Sequence, residues 1–163
     1  MSKVYRQGAV GALMDEYEKV IFELQEVIND ILDEELLTII DSKTTDPNCK
    51  SIQTILSHVI KSGYTYAVYI RNLAGQKMDY PKIAFHLSVK DYQKDLKDVF
   101  VFTTETFTEI KDEQLEEFDN SKKLKSSWGQ VYDIEQITEH AIVHILRHRR
   151  QIEKFLLALR VKN

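Results

Sequence analysis

The sequence predicts an all-α protein built as a four-helix bundle. Four segments carry apolar residues at the three- and four-residue spacing of an amphipathic helix. Glycine and proline are scarce, with 5 and 2 residues, which favours long helices with few turns. No segment shows a convincing strand pattern, and no repeat or linker divides the chain. Residues 1–163 are therefore predicted to form a single domain that is long enough to bury a substantial core.

The first two long helices follow from their apolar stripes. Residues 11–30 form the first, and residues 33–40 form either a short continuation or a separate turn before a polar loop. The second begins near residues 49–51 and ends at Leu73, because Gly75 then stops it. The residues that define the first stripe are Leu13, Tyr17, Val20, Ile21, Leu24, Val27, Ile28 and Ile31, and those of the second are Ile52, Ile55, Leu56, Val59, Ile60, Tyr66, Ala67 and Ile70.

The third helix follows a long connection. Residues 76–87 contain Pro81 and have no helical period, so they form a loop that is long enough to cross over the bundle. Ser88, followed three residues later by Asp91, resembles a helix N-terminus. Apolar residues at helical spacing then predict a third helix that extends to Ile110, although its Val-Phe-Val-Phe-Thr-Thr centre has strand propensity.

The last helix carries most of the histidines. A polar segment, residues 112–132, leads to Asp133 and Gln136, which together predict a capped helix start. The periodic pattern continues to about Leu159. A cap followed by more than twenty periodic residues predicts a long fourth helix.

Composition limits the classes of function. The formal net charge of −4 argues against a general nucleic-acid binder, which usually has a basic excess. Cys49 is the only cysteine, so no intrachain disulfide is possible and a reducing compartment is favoured. The sequence shows no leader pattern and no apolar run long enough to cross a membrane. We therefore expect a cytoplasmic protein with no membrane and no nucleic-acid partner.

Three of the five histidines recur every four residues in the last helix, at His140, His144 and His148. At 3.6 residues per turn they share one sector of about 80°. His148 lies within the apolar stripe, His144 on its shoulder and His140 toward the rim. A buried imidazole needs a hydrogen-bond partner or a metal ion, because leaving it bare costs a few kcal/mol. For a single core histidine a hydrogen bond is the ordinary explanation.

Two histidines at i and i+4, with a third available from another helix, favour a metal site instead. His58 is that third residue, since it lies on a shoulder of the second stripe and can still point into a bundle. Three neutral imidazoles suit zinc, nickel or iron and leave a coordination position open. Gln151 is either a donor that supports a ligand histidine or an ordinary solvated amide.

The pattern of His58 followed by His144-Ile-Leu-Arg-His148-Arg-Arg-Gln151 resembles the DinB-like (damage-inducible, YfiT-related) superfamily. The segment from Pro47 to Ile52 and the Trp128-Gly129 pair before the last helix add to this resemblance, which covers the chain in helix order and length. The resemblance implies a four-helix bundle with a crossover connection between helices 2 and 3, commonly dimeric. It also implies a divalent metal ion (zinc, nickel or iron) whose ligands are His58, His144 and His148 and whose surroundings include Gln151 and His140.

Several members of that superfamily resemble metal-dependent thiol S-transferases or hydrolases that use low-molecular-weight thiols such as bacillithiol or mycothiol. For this chain the resemblance therefore implies a small-molecule substrate, with a low-molecular-weight thiol as co-substrate. Two alternatives stay open: a non-catalytic metal-binding or sensor module with the same ligands, and a structural or interaction bundle whose histidines are core residues.

Other reactive residues carry less weight. Cys49 at a helix start is either a nucleophile or, as we favour, a buried or capping residue. The basic cluster around Arg149 and Arg150 projects away from the histidines and is expected to pair with carboxylates or solvent. His86 has no partner that the sequence identifies. The paired Glu-x-x-His motifs of di-iron bundles and the zincin motif are both absent.

Overall fold

The computed structural model describes residues 4–161, and the fold is predominantly helical. Helices account for 65% of the structure, so the all-α class is confirmed. The fold contains four long helices, which are α1 (Gly8–Ile28), α3 (Ile52–Leu73), α4 (Val89–Thr106) and α5 (Ile134–Val161). One short helix, α2 (Asp33–Leu37), lies between α1 and α3. Single 3₁₀ turns occur at Pro47–Cys49, Asp112–Gln114 and Asn120–Lys122. Within the described residues, no helix is apolar over a sufficient length to span a bilayer.

Local capping explains where the helices begin. The Ser51 hydroxyl accepts a hydrogen bond from the backbone N–H of Thr54, and the Ser88 hydroxyl accepts one from that of Asp91. At α5 the cap is reciprocal: the Asp133 carboxylate accepts from the Gln136 N–H at 2.8 Å, and the Gln136 side chain accepts from the Asp133 N–H at 3.1 Å. The Ser51 and Asp133 caps fix the first turns of α3 and α5, the helices that carry the predicted site residues.

The N-terminus of α1 is capped by a residue that is distant in sequence. The Asp112 carboxylate accepts hydrogen bonds from the N–H groups of Ala9 and Val10, both at 2.9 Å. Gly8 has φ +75°, and a Cβ there would lie 2.3 Å from an Asp112 oxygen, so glycine is required at this position. This cap explains why α1 begins at residue 8 rather than at the predicted residue 11.

The side-chain contacts between helices establish their relative directions. Between α3 and α4, Ser57 contacts Tyr92 and Arg71 contacts Thr106, so residue numbers rise together and the two helices run in the same direction. Between α3 and α5, His58 lies against His148, whereas Tyr66, further along α3, lies against the earlier residue His140. These two helices are therefore antiparallel.

The first helix is antiparallel to α4. Gln25 and Gln93 exchange side-chain to backbone hydrogen bonds, while Tyr17, earlier in α1, packs on Phe100, later in α4. Apolar side chains from all four long helices form one buried cluster, in which Leu24, Ile55, Leu96 and Ile152 have no exposed surface. Burial of each such side chain stabilises the fold by roughly 1.5–3 kcal/mol.

A small hairpin corrects the expectation that the chain contains no strand. Strand β1 (Leu124–Lys125) pairs antiparallel with β2 (Val131–Tyr132), and Gly129 with φ +87° allows the turn between them. The hairpin positions Trp128 over α3 and α5, where its ring lies near those of Tyr66, Tyr69 and His140. Two-residue strands are too short to leave a periodic signal in the sequence.

Candidate metal centre

Three histidines from two helices converge at the interface of α3 and α5. His58, His144 and His148 each present a ring nitrogen within 4.8 Å of the others. The Nε2 atoms of His58 and His144 are 3.0 Å apart, and the ring centroids are separated by 4.5–5.1 Å. The structure therefore brings together the three residues that the sequence selected as candidate ligands.

The apolar stripe of α5 positions its two histidines. Ile145 and Ile152, on the same face, are buried in the core, and His144 and His148 are only 6% and 5% exposed. Histidines four residues apart are neighbours on one helix face, so both rings reach the same side. Because α3 packs antiparallel against that side, the partly buried His58 meets both of them.

His148 has one satisfied nitrogen and one bare nitrogen. Its Nδ1 lies 3.1 Å from the Oε1 atom of Gln151, an acceptor, so Nδ1 carries the proton and donates it to that hydrogen bond. The Nε2 atom is then an unprotonated lone-pair donor, and it is buried with no hydrogen-bond partner in the described structure. A buried polar atom without a partner costs roughly 1–3 kcal/mol. Such an atom requires an explanation other than packing.

All three rings are neutral at physiological pH. Burial, together with the nearby His148 and His58, lowers the pKa of His144 from its ordinary value to about 2. Burial and the proximity of His58 lower the pKa of His148 to about 4. Burial also lowers the pKa of His58. Neutral imidazole is the form that coordinates metals, so the cluster is in its ligand state before any ion binds.

The geometry of the cluster fits a first-row divalent ion. Two nitrogens at about 2.1 Å from a tetrahedral ion lie about 3.4 Å apart. The nitrogens here lie within 4.8 Å of one another, so small rotations of the rings bring them to that separation. Three nitrogen donors with no carboxylate or thiolate among them suit zinc, nickel or iron better than calcium or magnesium. The residues present therefore fit the predicted metal.

A cavity of about 350 Å³ opens beside the cluster. His58 and His144 contribute to its floor, and its walls come from α3, α5 and the hairpin turn. The lining residues are His58, Lys61, Ser62, Thr65, Tyr66, Ser127, Trp128, His140, His144 and Arg147. A second cavity of similar volume lies on the other side, against His148, Gln151 and Cys49. A ligand in the first cavity has direct access to the histidines.

His140 lies in the cavity wall and outside the cluster of three. Its ring stacks on Trp128 with centroids 5.5 Å apart and an interplanar angle of 23°, and it meets the ring of Tyr66 at 5.4 Å. The His140 centroid is 6.2 Å from that of His144. Burial lowers the pKa of His140, and the positive charge of Arg147 lowers it further. His140 therefore contacts the site through aromatic stacking, and it belongs to the surroundings rather than to the ligand set.

Gln151 connects the cluster to Cys49. Its Oε1 atom accepts from His148 and also lies 3.7 Å from the Cys49 sulfur, whose single S–H proton has either this oxygen or the Asp46 carboxylate as its acceptor. Burial raises the pKa of the Cys49 thiol. A protonated, hydrogen-bonded thiol is a weak nucleophile. These contacts favour the structural role that we expected for Cys49.

His86 and Arg149 pair with carboxylates outside the cluster. The Nε2–H group of His86 donates to the Asp95 carboxylate at 2.6 Å. The sequence did not reveal this pairing because the two residues meet across the loop that precedes α4. Arg149 pairs with Glu23 of α1 and Glu153, as expected for the face opposite the histidines. Arg147, by contrast, lines both cavities.

Sequence reasoning missed several cavity residues. Lys61, Ser62 and Thr65 follow His58 on the same side of α3. The predicted role of His58 was the only feature of the sequence that could have indicated that they line a cavity. Trp128 was noted for its sequence context, but its stacking on His140 depends on the hairpin.

The chain matches no protein-family model and no curated protein.

Proposed function

We propose that this chain binds one divalent metal ion, zinc, nickel or iron, through His58, His144 and His148. The observation that carries this proposal is the buried Nε2 atom of His148, which has a free lone pair and no protein partner. It lies in a group whose ligand atoms are all within 4.8 Å of one another. A buried lone pair without a hydrogen-bond partner destabilises the fold. Beside two other neutral imidazoles, the same lone pair is suited to coordinate a metal ion.

We also propose that the chain is a DinB-like four-helix bundle in which the segment between α3 and α4 is a crossover connection. The parallel direction of α3 and α4 supports this topology, because a chain must return along the bundle before it can start a second helix in the same direction. The homodimer and the cytoplasmic location that we expected remain predictions. Sedimentation equilibrium tests the first.

For the reaction, we propose a metal-dependent thiol S-transferase or hydrolase that acts on a small molecule. A divalent ion on three neutral imidazoles would supply a thiolate or hydroxide near neutral pH, since coordination lowers the pKa of a thiol or of water. Gln151 holds the proton of His148 on Nδ1 and so keeps Nε2 available. The cavity places a ligand against His58 and His144.

In the transferase reaction the thiol sulfur forms a bond to an electrophilic carbon, and that carbon releases its leaving group with the bonding electron pair. The thiol proton passes to solvent. In the hydrolase reaction water replaces the thiol, and its oxygen forms the new bond. The thiol reaction requires a low-molecular-weight thiol as co-substrate.

Metal analysis is the first test. Protein purified without an affinity tag is expected to contain close to one equivalent of zinc, nickel or iron, or to take it up after dialysis. Metal should raise the melting temperature of the wild type and have little effect on His148→Ala. The matched control is His86→Ala, because His86 pairs with Asp95 outside the cluster. No uptake and no thermal shift would leave only the structural bundle.

Catalysis is tested separately. In cobalt-substituted protein, a thiol that enters the coordination sphere is expected to change the visible absorption of the ion. Conjugation of a thiol with a chromogenic electrophile should then depend on metal and be lost in His148→Ala. Metal binding without any response to thiols would favour the non-catalytic metal-binding or sensor module.

A further inference from the structure

The cavity beside the histidines is lined by cations and by no carboxylate. Of its lining residues, Lys61 and Arg147 carry positive charge, and the described lining includes no aspartate or glutamate. The whole protein has a formal net charge of −4, so this absence of acids is a local property. A cleft lined by one sign of charge concentrates ligands of the opposite sign.

Neither cation forms an ion pair in the part of the chain that the structure describes. Within residues 4–161, no carboxylate lies within ion-pair distance of Lys61 or Arg147, whereas the neighbouring Arg149 pairs with both Glu23 and Glu153. Few lysines and arginines of the described residues form such ion pairs, so the feature that distinguishes Lys61 and Arg147 is that they line the same cavity beside the histidines. The two unpaired cations therefore remain available to a ligand.

The positions of the two cations relate them to the cluster. Lys61 is three residues after His58 on α3, and Arg147 is three residues after His144 on α5. Side chains three residues apart are neighbours on one helix face, with about 5–6 Å between their Cβ atoms. Each cation thus lies about one turn from a candidate ligand, and the two come from different helices. This spacing suits a molecule that places one atom at the histidines and another group at the cations.

Neutral and aromatic groups complete the cavity. The side chains of Ser62 and Thr65 offer hydroxyl donors, and Tyr66 and Trp128 form an aromatic wall with ring centroids 6.2 Å apart. Hydroxyl donors beside cations are typical of sites that bind carboxylates or phosphates. A volume of about 350 Å³ accommodates a small metabolite rather than a macromolecule.

We propose that the cavity selects small anionic ligands, whose carboxylate or phosphate group binds Lys61 and Arg147 while a sulfur or oxygen atom reaches the histidine cluster. This inference rests on the proposed function for the second contact and narrows its substrate class. The thiol or electrophile that this protein uses therefore carries at least one acid group. Neutral thiols of the same size bind through sulfur alone.

The test compares four small probes by calorimetric titration of zinc-loaded protein. Mercaptosuccinate carries a thiol and two carboxylates, thioglycerol carries a thiol without charge, and succinate and inorganic phosphate carry charge without a thiol. We expect mercaptosuccinate to bind about tenfold more tightly than thioglycerol, because charge-assisted hydrogen bonds to Lys61 and Arg147 add to the contact that the sulfur makes. Succinate and phosphate distinguish carboxylate from phosphate recognition.

Substitutions test whether Lys61 and Arg147 cause the preference for mercaptosuccinate over thioglycerol. Arg147→Ala and Lys61→Ala are each expected to reduce the preference for mercaptosuccinate about threefold or more and to leave thioglycerol binding unchanged. Arg147→Lys should retain most of it. The matched control is Arg150→Ala, because Arg150 is exposed on the same helix and does not line this cavity. Equal affinities for the two thiols, or equal losses in Arg150→Ala and Arg147→Ala, would overturn the proposal.

Failure of this inference is distinguishable from failure of the metal site. If zinc binds but the anionic thiol has no advantage, the cation proposal is wrong and the metal proposal stands. If zinc does not bind, succinate titration of the metal-free protein and of Arg147→Ala still tests whether the cations hold an acid group. Weaker succinate binding in Arg147→Ala, with no change in Arg150→Ala, supports the cation pair. No such difference overturns it.

Discussion

Acidification of the metal-free protein tests whether His148 is held neutral in the cluster. Burial and the proximity of His58 lower its pKa from 6.5 to about 4 in the folded protein. Between these two pH values the unfolded chain binds a proton that the folded chain does not. The free energy of unfolding is therefore at its full value above pH 6.5, falls as the pH decreases toward 4, and levels off below that.

The magnitude follows from the size of the shift. Each pH unit between the two pKa values removes about 1.4 kcal/mol per histidine. Acidification from pH 7 to pH 5 is thus expected to cost about 2 kcal/mol through His148 alone. Because this side chain is only 5% exposed, little of that figure is lost to solvent screening. A loss of this size is a large part of the 5–15 kcal/mol that is typical of a domain.

The assay is urea denaturation at both pH values in the presence of a chelator, with wild type and His148→Leu compared. Leucine has a similar volume and does not titrate, so the contributions of groups that do not contact position 148 cancel in the difference. Burial, which is the largest cause of the lowered pKa values of His144 and His58, is retained in the variant. The wild type should lose about 2 kcal/mol more than the variant between pH 7 and pH 5. If both proteins lose the same free energy to within about 0.5 kcal/mol, His148 is not held neutral by burial and the reasoning fails.

Three further predictions concern the framework of the site. Gly63→Ala should destabilise the protein by about 1–3 kcal/mol, because the new Cβ would lie 2.8 Å from a methyl carbon of Val99, and adding Val99→Ala should recover part of that loss. Asp112→Ala should lower the urea concentration at the midpoint of unfolding by removing the cap of α1. Asp133→Ala should cost about 1–2 kcal/mol, since it removes the reciprocal cap of α5 from a buried position. Urea denaturation measures all three.

Each of these has a specific contradicting result. Additive effects of Gly63→Ala and Val99→Ala would show that the two groups do not collide. Unchanged stability of Asp112→Ala would show that solvent caps α1 equally well. A stable Asp133→Ala protein with intact helical content would show that the packing of α5, rather than its cap, determines where it begins.

Much of the fold could be predicted because helix formation and capping depend on nearby residues. The start of α5 at Ile134 follows from Asp133 and Gln136, which are three residues apart. The end of α3 at Leu73, before Gly75, is likewise a local feature. The predicted third helix, α4 in the structure, ends at Thr106 rather than at Ile110. The backbone N–H groups of Thr108 and Ile110 bond to the carbonyls three residues earlier, so the four-residue pattern of the α-helix stops there.

The histidine positions on α5 were predictable for the same reason. His148 within the apolar stripe, His144 on its shoulder and His140 toward the rim correspond to the observed burial of the first two and the partial exposure of the third. The hairpin could not be predicted, since its strands have two residues each. Its effect on the site is large, because it brings Trp128 against His140.

The sequence by itself determined which residues are helical, which faces are apolar and which histidines lie on those faces, because these properties depend on residues within one or two turns of each other. Only the tertiary structure decided that His58 of α3 meets His144 and His148 and that Lys61 and Arg147 share a cavity. It also decided that Asp112 caps a helix more than a hundred residues away. These contacts join segments separated by long loops, and their geometry depends on how whole helices pack against one another, which local periodicity does not encode.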